Sequence, residues 1–139
     1  MLLDGKRIVY VEDDSRNRQL VEMILTGEGA KVWLDRWGAP ALALSAVIGH
    51  MPLDMILLDL MFANGYSGYD IYAELRKQYT LDKVPVVMIS AADASIEMPK
   101  ARLLGLDSYI VKPIDADHFA HQIKSILEGQ PIWQLATPA

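Results

Sequence analysis

Five short runs rich in Val, Ile and Leu, each followed by a longer stretch with helical spacing, restrict this chain to very few folds. The runs are Arg7-Ile8-Val9-Tyr10-Val11, Lys31-Val32-Trp33-Leu34, Met55-Ile56-Leu57-Leu58, Val84-Pro85-Val86-Val87-Met88-Ile89 and Ser108-Tyr109-Ile110-Val111. Four to six branched, apolar residues are too few for a buried helix and fit the pleated backbone, so each reads as a strand. Runs that are apolar at nearly every position mark strands covered on both sides. The alternation therefore predicts an α/β fold: a doubly wound five-stranded parallel sheet with helices on both faces and right-handed crossovers.

The helical stretches carry their own boundaries. Residues 15–27 place Leu20, Val21, Ile24 and Leu25 at helical spacing, with Asp14 or Ser15 as N-cap and Gly27 and Gly29 as the stop. Gly38 marks a turn before an Ala- and Leu-rich helix at 39–48, and Pro52 the next break. The glycine-containing loop Asn64-Gly65-Tyr66-Ser67-Gly68 leads to a helix at 69–78. Pro99 is tolerable in the first turn of a helix, which places the start of the fourth near Glu97 or Met98, and Gly105 closes it. The last helix is expected over 115–128. The ordered domain should span 5–128, and the tail at 129–139, with two prolines and no periodicity, should be loosely ordered.

Composition removes several classes of function. A length of 139 residues suits one domain with its own core. There is no cysteine, hence no disulfide and no thiolate metal site, which fits a reducing cytoplasm. No apolar stretch approaches the roughly 20 residues of a membrane-spanning helix, and the first residues form no signal peptide. A net charge of -5 argues against a broad nucleic-acid surface. His50, His118 and His121 have no metal-ligand spacing, and Trp33 and Trp37 are accounted for by core or docking-surface packing.

In open α/β sheets, ligands bind beyond the carboxyl ends of the strands. Strand one delivers Glu12 and Asp13 there, strand three Asp59, strand four Ser90 and strand five Lys112. Carboxylates this close repel by about 1 kcal/mol per pair in water, and by several times that in a partly dry cleft. A hard cation that keeps some of its waters, as Mg²⁺ does, would relieve them, with Lys112 as a fixed charge on the other flank. A carboxylate surrounded by a cation, a lysine and a hydroxyl is equipped to take up a phosphoryl group, and Asp59 is the carboxylate that would act as nucleophile.

The segments Val9-Tyr10-Val11-Glu12-Asp13-Asp14, Ile56-Leu57-Leu58-Asp59-Leu60-Met61, Pro85-Val86-Val87-Met88-Ile89-Ser90-Ala91 and Tyr109-Ile110-Val111-Lys112-Pro113 resemble, in order and spacing, the signatures of response-regulator receiver domains. That resemblance covers residues 5 to 128 and implies a flavodoxin-like strand order 2-1-3-4-5. It also implies that Asp59 accepts a phosphoryl group from a sensor histidine kinase or phosphotransfer protein, as a phosphoacceptor rather than a turnover enzyme. Asp13 would ligate Mg²⁺ directly, Glu12 through water, Asp59 beside them, and Met61 through its backbone carbonyl. Lys112 would pair with Asp59 and then with the phosphoryl group, while Ser90 and Tyr109 would move together as the switch. The output face would lie around Arg102, Tyr109 and the helix from Asp115. It would contact a downstream protein or form a homodimer.

Departures from the family pattern lie after the acceptor. Phe62-Ala63 stand where many receivers have proline and a neighbour, and the expected glycine, Gly68, comes one residue late. Met61 and Ala92 are apolar where the family tunes hydrolysis, so a persistent phosphoryl group is expected. Three other readings compete. A phosphate-independent interaction module of the same fold commonly lacks one of the acidic residues. A dehalogenase-like phosphohydrolase wants an Asp where Met61 stands. A flavin protein wants a glycine- or hydroxyl-rich loop after strand one.

Overall fold

The computed structural model describes residues 1–133. In chain order the elements are β1 (Arg7–Val11), α1 (Ser15–Gly27), β2 (Lys31–Asp35), α2 (Pro40–Gly49), β3 (Met55–Asp59), α3 (Gly68–Leu75), a 3-10 turn (Tyr79–Leu81), β4 (Val86–Ser90), α4 (Ala94–Leu104), β5 (Ser108–Val111) and α5 (Phe119–Leu127). All strand pairs are parallel, as the sequence predicts, and the order is β2-β1-β3-β4-β5, as the family resemblance implies.

Strand residues alternate between two cores. Val9, Val11, Ile56, Leu58, Val86, Met88 and Tyr109 pack with Ala43 and Val47 of α2, Ile71 and Leu75 of α3, and Met98 and Ala101 of α4. Ile8, Tyr10, Met55, Leu57, Val87, Ile89 and Ile110 pack with Val21 and Leu25 of α1 and Phe119 and Ile123 of α5. Each fully buried Val, Leu or Ile contributes roughly 1.5–3 kcal/mol, so both faces are needed to offset the entropy of ordering the chain. After β2 the chain passes to the other side of β1. The carboxyl ends of β1 and β3 are thereby left as the crevice where strand order reverses.

Helix starts follow their caps. The Asp14 carboxylate accepts from the amides of Arg16 and Asn17 ahead of α1. Ser67 and Asp70 form a reciprocal capping box on α3. The expected start of the fourth helix near Glu97 or Met98 is corrected: α4 begins at Ala94, and Pro99 lies inside it. Pro99 has no N–H to give the Ser95 carbonyl, a loss of about 3 kcal/mol in a helix interior. Against it stand the cap from Asp93, whose carboxylate accepts from the Ser95 amide and hydroxyl, and the buried Ala94, Met98 and Ala101. A cap is worth about 1 kcal/mol and a buried Met about 2, which together offset the proline.

The last helix also differs. It begins at Phe119 rather than at 115, because the Asp115 carboxylate bonds the Asp117 amide and the His118 ring and closes a turn first. Of the tail expected to be loosely ordered, Gly129 and Gln130 are hydrogen-bonded to α5 and Ile132 to β5. Residues 134–139 lie outside the described residues.

Candidate functional site

Strand register delivers the site residues to one rim. Val11 lies opposite Leu58, so Glu12 and Asp13 emerge beside Asp59. Asp59 lies opposite Ile89, so Ser90 follows on the next strand, and Ser90 in turn lies opposite Val111, next to Lys112. Glu12, Asp13 and Asp59 each bring a carboxylate oxygen within 4.8 Å of the others. The Lys112 ammonium donates to Glu12 Oε1 at 2.8 Å and to Asp59 Oδ1 at 3.1 Å. The peptide bond between Lys112 and Pro113 is cis.

Burial makes these charges act strongly on one another. Glu12 is 0 % exposed and Asp59 6 %. Burial first, and then the adjacent Glu12, push the Asp59 carboxyl up to about 7 against the pull of Lys112. Burial alone would raise Glu12 too, but the adjacent Asp59 and the Lys112 ammonium lower it instead. Burial alone would lower Lys112, and the two carboxylates outweigh that and raise it. Among the described residues one lysine therefore serves two carboxylates, with a third, Asp13, alongside.

The donor set fits a hard divalent cation. Glu12 Oε2 is buried with no hydrogen-bond partner among the described residues, and a buried orphan oxygen beside two more carboxylates could serve a metal ion directly or through water. Asp13 Oδ2 is taken by the Ala63 amide at 2.8 Å, which ties it to the loop after β3 and leaves its other oxygen available. Met61 stands two residues beyond Asp59 with its side chain exposed, paired across the loop with Ser67.

That loop, residues 61–67, is where the resemblance leads one to expect a different shape. Phe62 is buried beneath Gly38, whose φ of 63° and lack of Cβ make room: a Cβ there would lie 2.3 Å from the Phe62 ring. Asn64 donates to the Trp37 carbonyl. Gly68 begins α3 with its amide on the Leu60 carbonyl, and a Cβ on it would lie 2.5 Å from the Asp59 carbonyl. The late glycine is thus the position at which α3 meets the acceptor strand.

Ser90 is buried, and its hydroxyl oxygen accepts from the Ala92 amide at 2.9 Å. Tyr109 is fully buried with no hydrogen-bond partner for its hydroxyl among the described residues. Burial raises the phenol, while the Ser90 hydroxyl, near but not bonded, pulls the other way. Sequence reasoning missed Tyr10, whose hydroxyl donates to Glu12 Oε1 at 3.1 Å from within the α1/α5 core. The signal was present: residues two apart on a strand share a face, so a tyrosine two before a carboxylate can reach it. Asp14 remains a cap, and His118 and His121 are exposed.

The family model for the response regulator receiver domain matches residues 8–124. The response regulator ArlR of Staphylococcus epidermidis is 32% identical over 126 residues, covering 89% of this chain and 53% of the relative. The ArlR of Staphylococcus saprophyticus is 32% identical over 127 residues, 90% of this chain and 54% of the relative. The chain thus spans about half the length of these curated relatives. The chemotaxis protein CheY4 of Vibrio cholerae superposes with a TM-score of 0.79 at 19% identity, over 88% of this chain and 98% of that one. A CheY-like receiver from Methanospirillum hungatei gives 0.73 at 24%, over 91% and 97%. With a family model over most of its length and its sheet order shared with these neighbours, the chain belongs to the response-regulator receiver domains.

Proposed function

We propose that this domain takes up a phosphoryl group on Asp59, with Mg²⁺ held beside it, from a histidine kinase or phosphotransfer protein, and thereby switches a protein-interaction surface. The observation that carries this is the shared lysine: Lys112 bridges Glu12 and Asp59 at a rim that also holds Asp13. An Asp59 oxygen attacks phosphorus, the bond from phosphorus to the donor nitrogen breaks, and the imidazole leaves with the electron pair. The product is an acyl phosphate. The Lys112 ammonium then follows the charge from carboxylate to phosphoryl oxygen.

Asp13 and Asp59, with Glu12 through water and the Met61 carbonyl, would hold the cation. Bound, it would neutralise charge on the phosphoryl oxygens. The Ser90 hydroxyl offers a hydrogen to a phosphoryl oxygen, and movement of Ser90 draws on the Tyr109 ring beside it. Phosphorylation adds up to two negative charges, and two or three charge-assisted bonds approach the roughly 5.5 kcal/mol needed to invert a 1:99 equilibrium. A cysteine-free chain of this class suits the reducing cytoplasm.

Intact mass after incubation with acetyl phosphate tests the acceptor. A phosphoryl increment is expected with Mg²⁺ and none after chelation, and none in Asp59→Asn. An increment that survives the substitution places the acceptor elsewhere. No increment in the wild type, together with no response to beryllofluoride, leaves a phosphate-independent interaction module.

A further inference from the structure

β5 closes one side of the sheet, and an edge strand offers unpaired backbone groups to any extended segment. Residues 130–133 take that place. The Tyr109 amide donates to the Ile132 carbonyl at 2.9 Å. The Ser108 hydroxyl donates to the same carbonyl at 2.7 Å and accepts from the Ile132 amide at 2.6 Å. Upstream, Gln130 and Ser125 exchange two bonds of 2.9 Å, one from the Gln130 amide and one from the Ser125 hydroxyl, which fix the exit from α5.

Successive side chains of this segment then take opposite faces. Ile132 packs against the α1/α5 core and Trp133 against the core under α2, α3 and α4. That alternation is the habit of an added strand. The Trp133 ring lies 5.3 Å from the Arg102 guanidinium. It forms one wall of a groove of about 350 Å³, whose other side is Ala94, Ser95, Met98 and Pro99 of α4.

We propose that the β5 edge and the α4 groove are a docking surface for an extended segment with a bulky aromatic residue, and that residues 130–133 of the same chain occupy it. The Tyr109 amide and the Ser108 hydroxyl give the segment its register, and the face of α4 with Arg102, beside which the Trp133 ring lies, selects the aromatic, as in strand-addition recognition. Resting on the phosphoacceptor reading above, this docking is linked to Asp59. The amide that holds Ile132 belongs to Tyr109, whose ring is buried with its hydroxyl toward Ser90. A ligand at Asp59 that favours the buried Tyr109 tightens the segment, and the segment tightens that ligand by the same factor.

The test uses the full chain and two substitutions outside the acceptor site, Trp133→Ala and Ser108→Ala, with hydrogen exchange of the Tyr109 amide and beryllofluoride affinity in Mg²⁺ as readouts. Each substitution is expected to speed Tyr109 exchange at least about tenfold and to weaken beryllofluoride at least about threefold. Unchanged exchange in both variants overturns the docking. Faster exchange with unaltered beryllofluoride affinity overturns the linkage. Protection that falls on dilution assigns the segment to a second copy and overturns docking within one chain. A wild type that ignores beryllofluoride while both variants speed exchange overturns the phosphoacceptor reading and the linkage together and upholds the docking.

Discussion

The two ends of the sheet treat their polar groups in opposite ways. At the amino ends of the strands no buried side-chain nitrogen or oxygen is left without a partner among the described residues. The Arg7 guanidinium donates to the Pro52 and His50 carbonyls and lies 4.5 Å over the Trp33 ring, which stacks on His50. Asp54 accepts from the Arg7 amide and Asp107 from the Val86 amide. At the carboxyl ends lie the three buried side-chain atoms left without partners among the described residues: Glu12 Oε2, Asp35 Oδ2 and the Tyr109 hydroxyl. An unmade buried bond costs about 1–3 kcal/mol, so the second end is kept at a standing cost that the first avoids. The difference separates charge used to fasten loops from charge held ready for a ligand or a rearrangement.

The contrast breaks most sharply at its two cations. Lys112→Met leaves two buried carboxylates unpaired and is expected to cost about 3–5 kcal/mol of stability at neutral pH. It should also slow phosphorylation by acetyl phosphate about 10²–10³-fold. Arg7→Met should cost about 1–3 kcal/mol through lost carbonyl bonds and packing, and leave the phosphorylation rate unchanged. Denaturant melts and mass-resolved time courses on both variants decide this. Equal slowing by the two would erase the distinction between the ends.

The acceptor itself sharpens it. The Asp59 pKa is raised in the folded chain, so between the unfolded value and about 7 the native state binds more protons than the unfolded one. Its contribution to stability therefore falls as pH rises through that window. Asp59→Asn removes the titration. In chelator the variant should gain about 1–3 kcal/mol on the wild type near pH 7 and nothing below pH ~4. A wild-type slope that persists in the variant would assign the effect to another buried acid, such as Asp35, which burial also raises.

The smallest effect concerns Tyr10. Tyr10→Phe removes one of the two donors on Glu12 Oε1 and keeps the ring in its core. A stability loss of about 1 kcal/mol and a few-fold shift in the Mg²⁺ concentration for half-maximal phosphorylation are expected. The shift should disappear in a Glu12→Gln background. A shift of the same size in both backgrounds would show that Tyr10 acts through packing alone.

Much of this rim was legible before any coordinates. Strands that are apolar on both faces and end in Glu12, Asp59, Ser90 and Lys112 can only present those residues together, because parallel strands share a carboxyl end. The start of α4 was misread because Pro99 was weighed alone, without the Asp93 cap and the buried face it opposes. Tyr10 was taken as core because its ring is core, and only its hydroxyl belongs to the site. Residues 130–133 show no periodicity, since a segment held by Ser108 and one backbone amide needs no repeating pattern of its own.

Gly38 and Phe62 carry a consequence for descent. The ring fills the space a side chain at position 38 would need, so neither position can drift alone: a larger residue at 38 is lethal to the packing until 62 shrinks, and a smaller one at 62 leaves a hole that 38 cannot fill without straining its backbone. Two loops far apart in sequence thereby share one packing constraint, and a substitution in either is expected to disturb the other.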